Sequence, residues 1–176
     1  MIQSDGLPLL TVGDGNCFPR AAAMLIFGDE DGHLEMRVRL AVAMAVEMDK
    51  ILGKDWTAVY KGSEIAPVLS FHDWARVTAL DIDNSDNSNL TVRDIFKLEA
   101  MATAKLYTFC VLWAFPALCL VTGCHVQSVF PDMGQYESRH FCNTIFKNPK
   151  NTQNKTMTIM WSSMRDLSDT PGGVEY

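Results

Sequence analysis

The fold is decided by the stretch Gly13-Asp14-Gly15-Asn16-Cys17-Phe18-Pro19-Arg20. Two glycines on either side of Asp14 predict a tight polar turn. Pro19 suits the first turn of a helix, where a missing N–H costs nothing, and Gly28 is a typical stop for the apolar run that follows. The stretch therefore predicts a turn, then a cysteine at a helix start, then a helix up to Phe27.

A cysteine in this position has the surroundings of a nucleophile. The N–H groups and the dipole at a helix start stabilise an anion, so we expect the pKa of the Cys17 thiol to be lowered. The turn also directs successive backbone N–H groups to one place, as in sites that hold an oxyanion. The short segment can therefore supply a nucleophile and an oxyanion hole, or it can be a buried cysteine after an ordinary turn.

Composition limits the classes of protein that fit. The chain has 176 residues, 48% hydrophobic and 20% charged, which fits one globular domain over residues 1–176. A net charge of -6 with no basic cluster disfavours nucleic acid as a partner. Five cysteines without regular spacing predict a reduced, intracellular protein, cytoplasmic or nuclear. No C-x-x-C pair is present and the histidines are scattered, so we expect no metal or other cofactor.

One apolar stretch permits two interpretations. Residues 106–124 carry no charge over 19 positions, a length that reaches the threshold for a membrane span. Pro116 near its middle and the polar residues directly after it favour a buried helix that leads into a buried strand. We expect no membrane contact, and we expect Cys110, Cys119 and Cys124 to be small buried hydrophobes.

Predicted helices come first and predicted strands come late, which indicates an α+β fold. The longest predicted helix covers 33–52, with one apolar side formed by Leu34, Val38, Ala41, Val42, Ala45 and Met48. A capping box at 91–94 predicts a helix that runs to about residue 106. Further helices are predicted at 64–69, 71–80 and 113–122, and strands at 125–130, 141–146 and 156–161.

The sequence resembles the OTU (ovarian tumour) family of cysteine proteases, which are deubiquitinases. The resemblance rests on Asp14-Gly15-Asn16-Cys17-Phe18 followed by Arg20-Ala21, and on Gly28, His33 and Arg37 in the pattern G-x4-H-x3-R. Residues 18–22, 128–131 and 158–161 resemble more closely the OTU-like region of vertnin-type animal proteins and of related transposon-associated proteins.

The resemblance implies a papain-type α+β fold with a small central sheet packed between helices. It implies that Cys17 is the nucleophile and that Asp14 shapes the oxyanion turn and assists a catalytic histidine. The backbone N–H groups of Gly15, Asn16 and Cys17 would be the oxyanion donors. The partner would be ubiquitin or a ubiquitin-like protein, and the reaction would be hydrolysis of an isopeptide bond.

The general base is the point at which the chain departs from the family. The family's histidine lies on a strand after the one matched by 156–161, and the chain reaches Tyr176 without it. We expect the chain to be truncated there, with 156–161 as an unpaired sheet edge.

The four histidines of this chain are expected to have other roles. His33 is expected to start a helix, His72 to be exposed and His125 to begin a strand beside the core, and His140 precedes the 156–161 strand. Two functions stay open: an OTU-like deubiquitinase whose base comes from outside this chain, and a catalytically inactive OTU-like binding or scaffold module.

Overall fold

The computed structural model describes residues 10–55, 70–77, 79, 89–110, 112–129, 143–148, 150 and 154–160. Its helices are α1 (Cys17–Phe27), α2 (His33–Val46), α3 (Phe71–Val77), α4 (Val92–Ala104) and α5 (Ala114–Thr122). Its strands are β1 (His125–Val129), β2 (Ile145–Phe146) and β3 (Thr156–Met160). Helices precede strands, so the predicted α+β fold class is confirmed. The predicted helix at 64–69, together with His140 and Cys142, lies outside the described residues.

The sheet has β1 at its centre. β1 pairs antiparallel with β2, where Val126 faces Phe146, and parallel with β3 from His125–Thr156 to Val129–Met160. Helix α5 packs on the face that buries Val126 and Phe146. On the other face, Ile145 and Met160 are about half exposed. In the described part of the chain, the helices therefore cover one face of the sheet.

Residues 112–119 of the uncharged stretch lie in the core, whereas Leu106, Tyr107 and Phe109 at its start are exposed. Trp113 and Phe115 are fully buried, and the Phe115 ring lies 4.8 Å from Phe18 and 5.4 Å from Phe146. The contact joins α1, α5 and β2, so the buried helix and strand interpretation of this stretch is confirmed. Among the described residues, no helix has the length and apolar character needed to cross a membrane.

Helix ends follow the local signals in the sequence. Gly28 and Gly123 close α1 and α5 with φ of 84° and 74°, a left-handed conformation that glycine adopts without steric cost. At the start of α4, the hydroxyl of Thr91 accepts from the Asp94 N–H, and the Asp94 carboxylate accepts from the Thr91 N–H. The predicted capping box is confirmed, and α4 ends at Ala104, two residues earlier than predicted.

The predicted face and length of α2 are wrong. The helix ends at Val46 instead of residue 52, and a three-residue helical turn and a π-helical turn follow it up to Asp55. Val38 and Val42, assigned to the apolar core side, are 60% and 54% exposed. The buried residues are Met36, Arg37, Leu40 and Met44. The helix is rotated because this side packs against α1, α4 and α5 and brings the Arg37 guanidinium to acceptors inside the protein.

The cysteines divide into two groups by burial. Cys110 and Cys119 are each 3% exposed, which confirms them as small buried residues, whereas Cys124 is half-buried. Burial raises the pKa of the Cys110 thiol to about 11. The Cys110 thiol is therefore not ionised at neutral pH, and burial keeps both Cys110 and Cys119 from acting as accessible nucleophiles.

Candidate functional site

The turn before α1 has the geometry that its glycines predict. Asn16 is the N-cap of α1 and Cys17 is the first helical residue, so the predicted cysteine at a helix start is present. Gly15 has a φ of 79°, which a residue with a Cβ rarely adopts. A Cβ on Gly15 would also overlap the backbone carbonyl of Tyr107. Both observations require glycine here, since the turn packs directly on the segment after α4.

The carboxylate of Asp14 is satisfied within the turn and by α1. It accepts hydrogen bonds from the Asn16 backbone N–H at 2.9 Å and from the Asn16 side-chain amide at 3.0 Å. Arg20 donates to it from Nη2 at 2.9 Å and from Nε at 3.4 Å, and also reaches Glu30 at 3.4 Å. The Arg20 hydrogen bond, followed by those of Asn16, holds the pKa of Asp14 well below its usual range although partial burial opposes it.

This arrangement engages one of the predicted oxyanion donors inside the turn. The Asn16 N–H is already engaged by Asp14, and the Asn16 side chain is 2% exposed. The Gly15 carbonyl accepts from Arg37, so the turn is held from both of its sides. The N–H groups that favour a thiolate here are those of Phe18 and Cys17 itself.

The Cys17 thiol is half-buried, and burial raises its pKa. The N–H groups of Phe18 and Cys17 act in the opposite direction but are outweighed. The charge of Asp14 adds to the increase, and that of Arg37 reduces it. The expectation of a lowered pKa is therefore wrong, because removing the thiolate from water costs more than the helix start recovers.

The described histidines form hydrogen bonds with backbone groups and not with the Cys17 thiol. The Nδ1 of His33 donates to the Glu30 carbonyl at 2.8 Å at the start of α2, as expected for a helix-start residue. The Nε2 of His72, expected to be exposed, donates to the Leu90 carbonyl at 2.6 Å and is partly buried. The Nδ1 of His125 accepts from the Asn148 N–H at 3.0 Å.

Arg37 belongs to the pattern G-x4-H-x3-R, but sequence reasoning gave it no role in the site. Its side chain is 1% exposed, and its two terminal nitrogens donate five hydrogen bonds. A signal was present in the sequence: Arg37 has no acidic residue three or four positions away, whereas Arg39 pairs with Glu35 at i−4. An arginine without such a neighbour, on a helix with apolar residues on several sides, finds its acceptors elsewhere in the fold.

Comparison with known proteins agrees with this architecture. The profile of the family described as "Vertnin, OTU domain" matches residues 8–162. Vertnin of Danio rerio is 29% identical over 162 residues, which cover 89% of this chain and 22% of that protein. The vertnins of Bos taurus and Homo sapiens are each 25% identical over 158 residues, with 89% of this chain and 23% and 21% of those proteins covered.

The chain spans about a fifth of the length of the curated relatives it matches. No solved structure matches it. Because the family profile covers most of the chain, including the Asp14–Cys17 turn and the sheet, the chain belongs to the vertnin OTU domain family.

Proposed function

We propose that this chain is an OTU-like binding module that holds ubiquitin or a ubiquitin-like protein beside the Asp14–Cys17 turn and does not hydrolyse it at a catalytic rate. The observation that carries the proposal is the half-buried Cys17 thiol with its raised pKa. A thiol nucleophile needs a lowered pKa or an adjacent base. The described histidines have hydrogen-bond partners elsewhere.

The state of Asp14 supports the same proposal. A carboxylate has about four lone-pair acceptor sites, and one that assists a catalytic histidine must keep one of them for the imidazole. Each oxygen of Asp14 already accepts one hydrogen bond from Asn16 and one from Arg20. The carboxylate therefore acts as the centre of a rigid turn, and a rigid preformed surface favours binding because little ordering entropy is lost on association.

The partner is proposed from the family, because OTU domains generally bind ubiquitin. An intracellular location, cytoplasmic or nuclear, belongs to the same proposal. The four cysteines among the described residues are all free thiols, which fits a reducing compartment.

The second candidate is a cysteine-type deubiquitinase, and one observation favours it. The N–H groups of Phe18 and Cys17 face the thiol at the start of α1 and stabilise its anion. In this alternative the Cys17 sulfur attacks the isopeptide carbonyl, and a histidine from outside the described residues takes the thiol proton and passes it to the amine as the C–N bond breaks. Water then hydrolyses the thioester and regenerates the thiol. Asp14 then keeps the turn in the conformation that the attack requires.

A ubiquitin probe with a thiol-reactive group at its C-terminus separates the two candidates. The chain and its Cys17→Ala variant are mixed with the probe, and adducts are followed by intact mass. In parallel, binding of unmodified ubiquitin to both proteins is measured by titration. The binding module predicts equal saturable binding by both proteins and an adduct rate no higher than that of a free thiol. Rapid adduct formation that requires Cys17 establishes the hydrolase, and absence of binding by both proteins rejects both candidates.

A further inference from the structure

Arg37 joins two segments that are distant in sequence. Toward the turn that contains Asp14 to Cys17, called the nucleophile turn below, its Nη2 donates to the Gly15 carbonyl at 2.7 Å and to the Asn16 Oδ1 at 2.9 Å. Toward the end of α4 and the residues after it, Nη1 donates to the carbonyls of Thr103 at 2.8 Å and Lys105 at 2.7 Å, and Nη2 donates to the carbonyl of Thr108 at 2.9 Å. One guanidinium thus fixes the position of the turn relative to residues 103–108.

Joining these two segments with a buried charge has a high desolvation cost. A buried cation normally has a carboxylate partner, but each of these five acceptors is an uncharged oxygen. The buried Nε of Arg37 has no acceptor among the described residues. A residue with an apolar side chain of similar size would fill the same space without the cost of desolvating a charge. The hydrogen-bonded geometry is therefore what the arginine provides.

A second contact at the same junction shows how tightly the two segments fit. The Asn16 Oδ1 that accepts from Arg37 also accepts from the Tyr107 N–H at 3.2 Å. Gly15 packs on the Tyr107 carbonyl without space for a Cβ. Tyr107 itself has a φ of 60°, which is uncommon for a residue with a side chain. These contacts therefore fix the positions of Gly15 and Asn16, the two residues just before Cys17.

We propose that Arg37 is the positioning residue of the nucleophile turn, and that its bonds to Gly15, Asn16 and residues 103–108 keep Cys17 in its half-buried place. The inference rests on the proposed function only in taking the turn as the site that faces the partner. Its test uses a small alkylating reagent and no ubiquitin, so its outcome is independent of whether ubiquitin binds.

The direction of the effect follows from the order of the contributions at Cys17. Burial is the largest influence on the thiol pKa, and the charge of Arg37 is the smallest of those identified. When the bonds of Arg37 to the turn are lost, the thiol becomes more exposed to water, and this outweighs the loss of one small favourable charge, so the pKa falls toward its ordinary value. The larger thiolate fraction at fixed pH is only partly offset by the lower nucleophilicity of the less basic thiolate. We therefore expect a net gain in the alkylation rate of Cys17 at neutral pH.

The test measures the iodoacetamide alkylation rate of Cys17 between pH 7 and pH 10.5, residue by residue, by peptide mass spectrometry. Arg37→Met removes the guanidinium, Arg37→Lys keeps the charge with fewer donors, and Gly15→Ala strains the same junction with Arg37 intact. Arg39→Met is the matched control, since Arg39 lies on the exposed side of the same helix. Alkylation of buried Cys119 in the same samples reports global unfolding.

The proposal predicts faster Cys17 alkylation and a pH profile moved to lower pH in Arg37→Met and Gly15→Ala. It predicts an intermediate profile in Arg37→Lys and an unchanged one in Arg39→Met, with Cys119 protected throughout. An unchanged Cys17 profile in Arg37→Lys and Gly15→Ala, with only the melting temperature reduced, assigns Arg37 a merely structural role and overturns the proposal. If Arg37→Met does not fold, these two variants decide the question.

Discussion

Replacing Arg20 by Met should release the Asp14 carboxylate that organises the nucleophile turn. The two side chains are 19% and 23% exposed, and the bond is made by two nitrogens of the guanidinium. Exposed ion pairs contribute about 0.2–1 kcal/mol, and removing one partner of a fully buried pair costs about 3–5 kcal/mol. Because this pair is partly buried and Asn16 also binds Asp14, we expect a coupling of about 1–2 kcal/mol at pH 7.

The pH dependence of this coupling has a defined sign. The pKa of Asp14 is lowered in the folded state, chiefly by Arg20. Its contribution to stability is therefore complete above the pKa of an unfolded aspartate, about 3.9, and is lost as the pH falls through the folded-state pKa. In Arg20→Met the folded-state pKa returns toward the ordinary value. The stability difference between wild type and variant should be full above about pH 5 and should shrink at pH 3.

The coupling is measured with a double-mutant cycle of Arg20→Met and Asp14→Asn in urea unfolding at pH 7 and pH 3. Tryptophan fluorescence follows the transition because Trp113 is fully buried. Arg93→Met is the matched control, because Arg93 pairs with Asp49 on the exposed surface and should cost at most about 0.5 kcal/mol. A coupling indistinguishable from zero, or one that is the same at pH 3 as at pH 7, would refute the reasoning.

Four further substitutions test the fold by chemical denaturation. Phe115→Ala should lower the free energy of unfolding by about 3–5 kcal/mol, since its fully buried ring links α1, α5 and β2; a loss below about 1 kcal/mol would contradict this packing. Thr91→Ala removes the capping box with Asp94 and should cost about 1 kcal/mol, and no loss would mean that the cap does not form. Val38→Lys should change stability by less than about 0.5 kcal/mol, whereas Leu40→Lys should prevent folding. If Val38→Lys prevented folding and Leu40→Lys had little effect, the orientation of α2 predicted from the sequence would be right after all.

Features set by neighbouring residues were predictable from the sequence. The start of α1, the capping box of α4 and the glycine stop of α5 all depend on residues within one helical turn of each other. The burial of residues 112–119 was predictable from the lack of charge in 106–124, although the first residues of that stretch are exposed. The vertnin-type resemblance extended this local information to the whole chain, and the family profile confirms it.

Features set by distant contacts were not predictable in the same way. Helix α2 has apolar residues on more than one side, so its periodicity could not choose between the side with Val38 and the side with Leu40. The choice is made by acceptors for Arg37 that lie as far as 71 residues away in sequence. The prediction of a lowered pKa for the Cys17 thiol was wrong for a related reason. It took account of the local N–H groups at the helix start but not of the burial that the rest of the fold produces.

The most direct test of the account uses ubiquitin that carries a fluorophore on its C-terminus through an amide bond. Fluorescence polarisation reports binding, and release of the fluorophore in the same sample reports cleavage. For a binding module, polarisation rises saturably and equally with the wild-type chain and with Cys17→Ala, and no fluorophore is released. Release that depends on Cys17, or polarisation that does not change with either protein, would contradict the account.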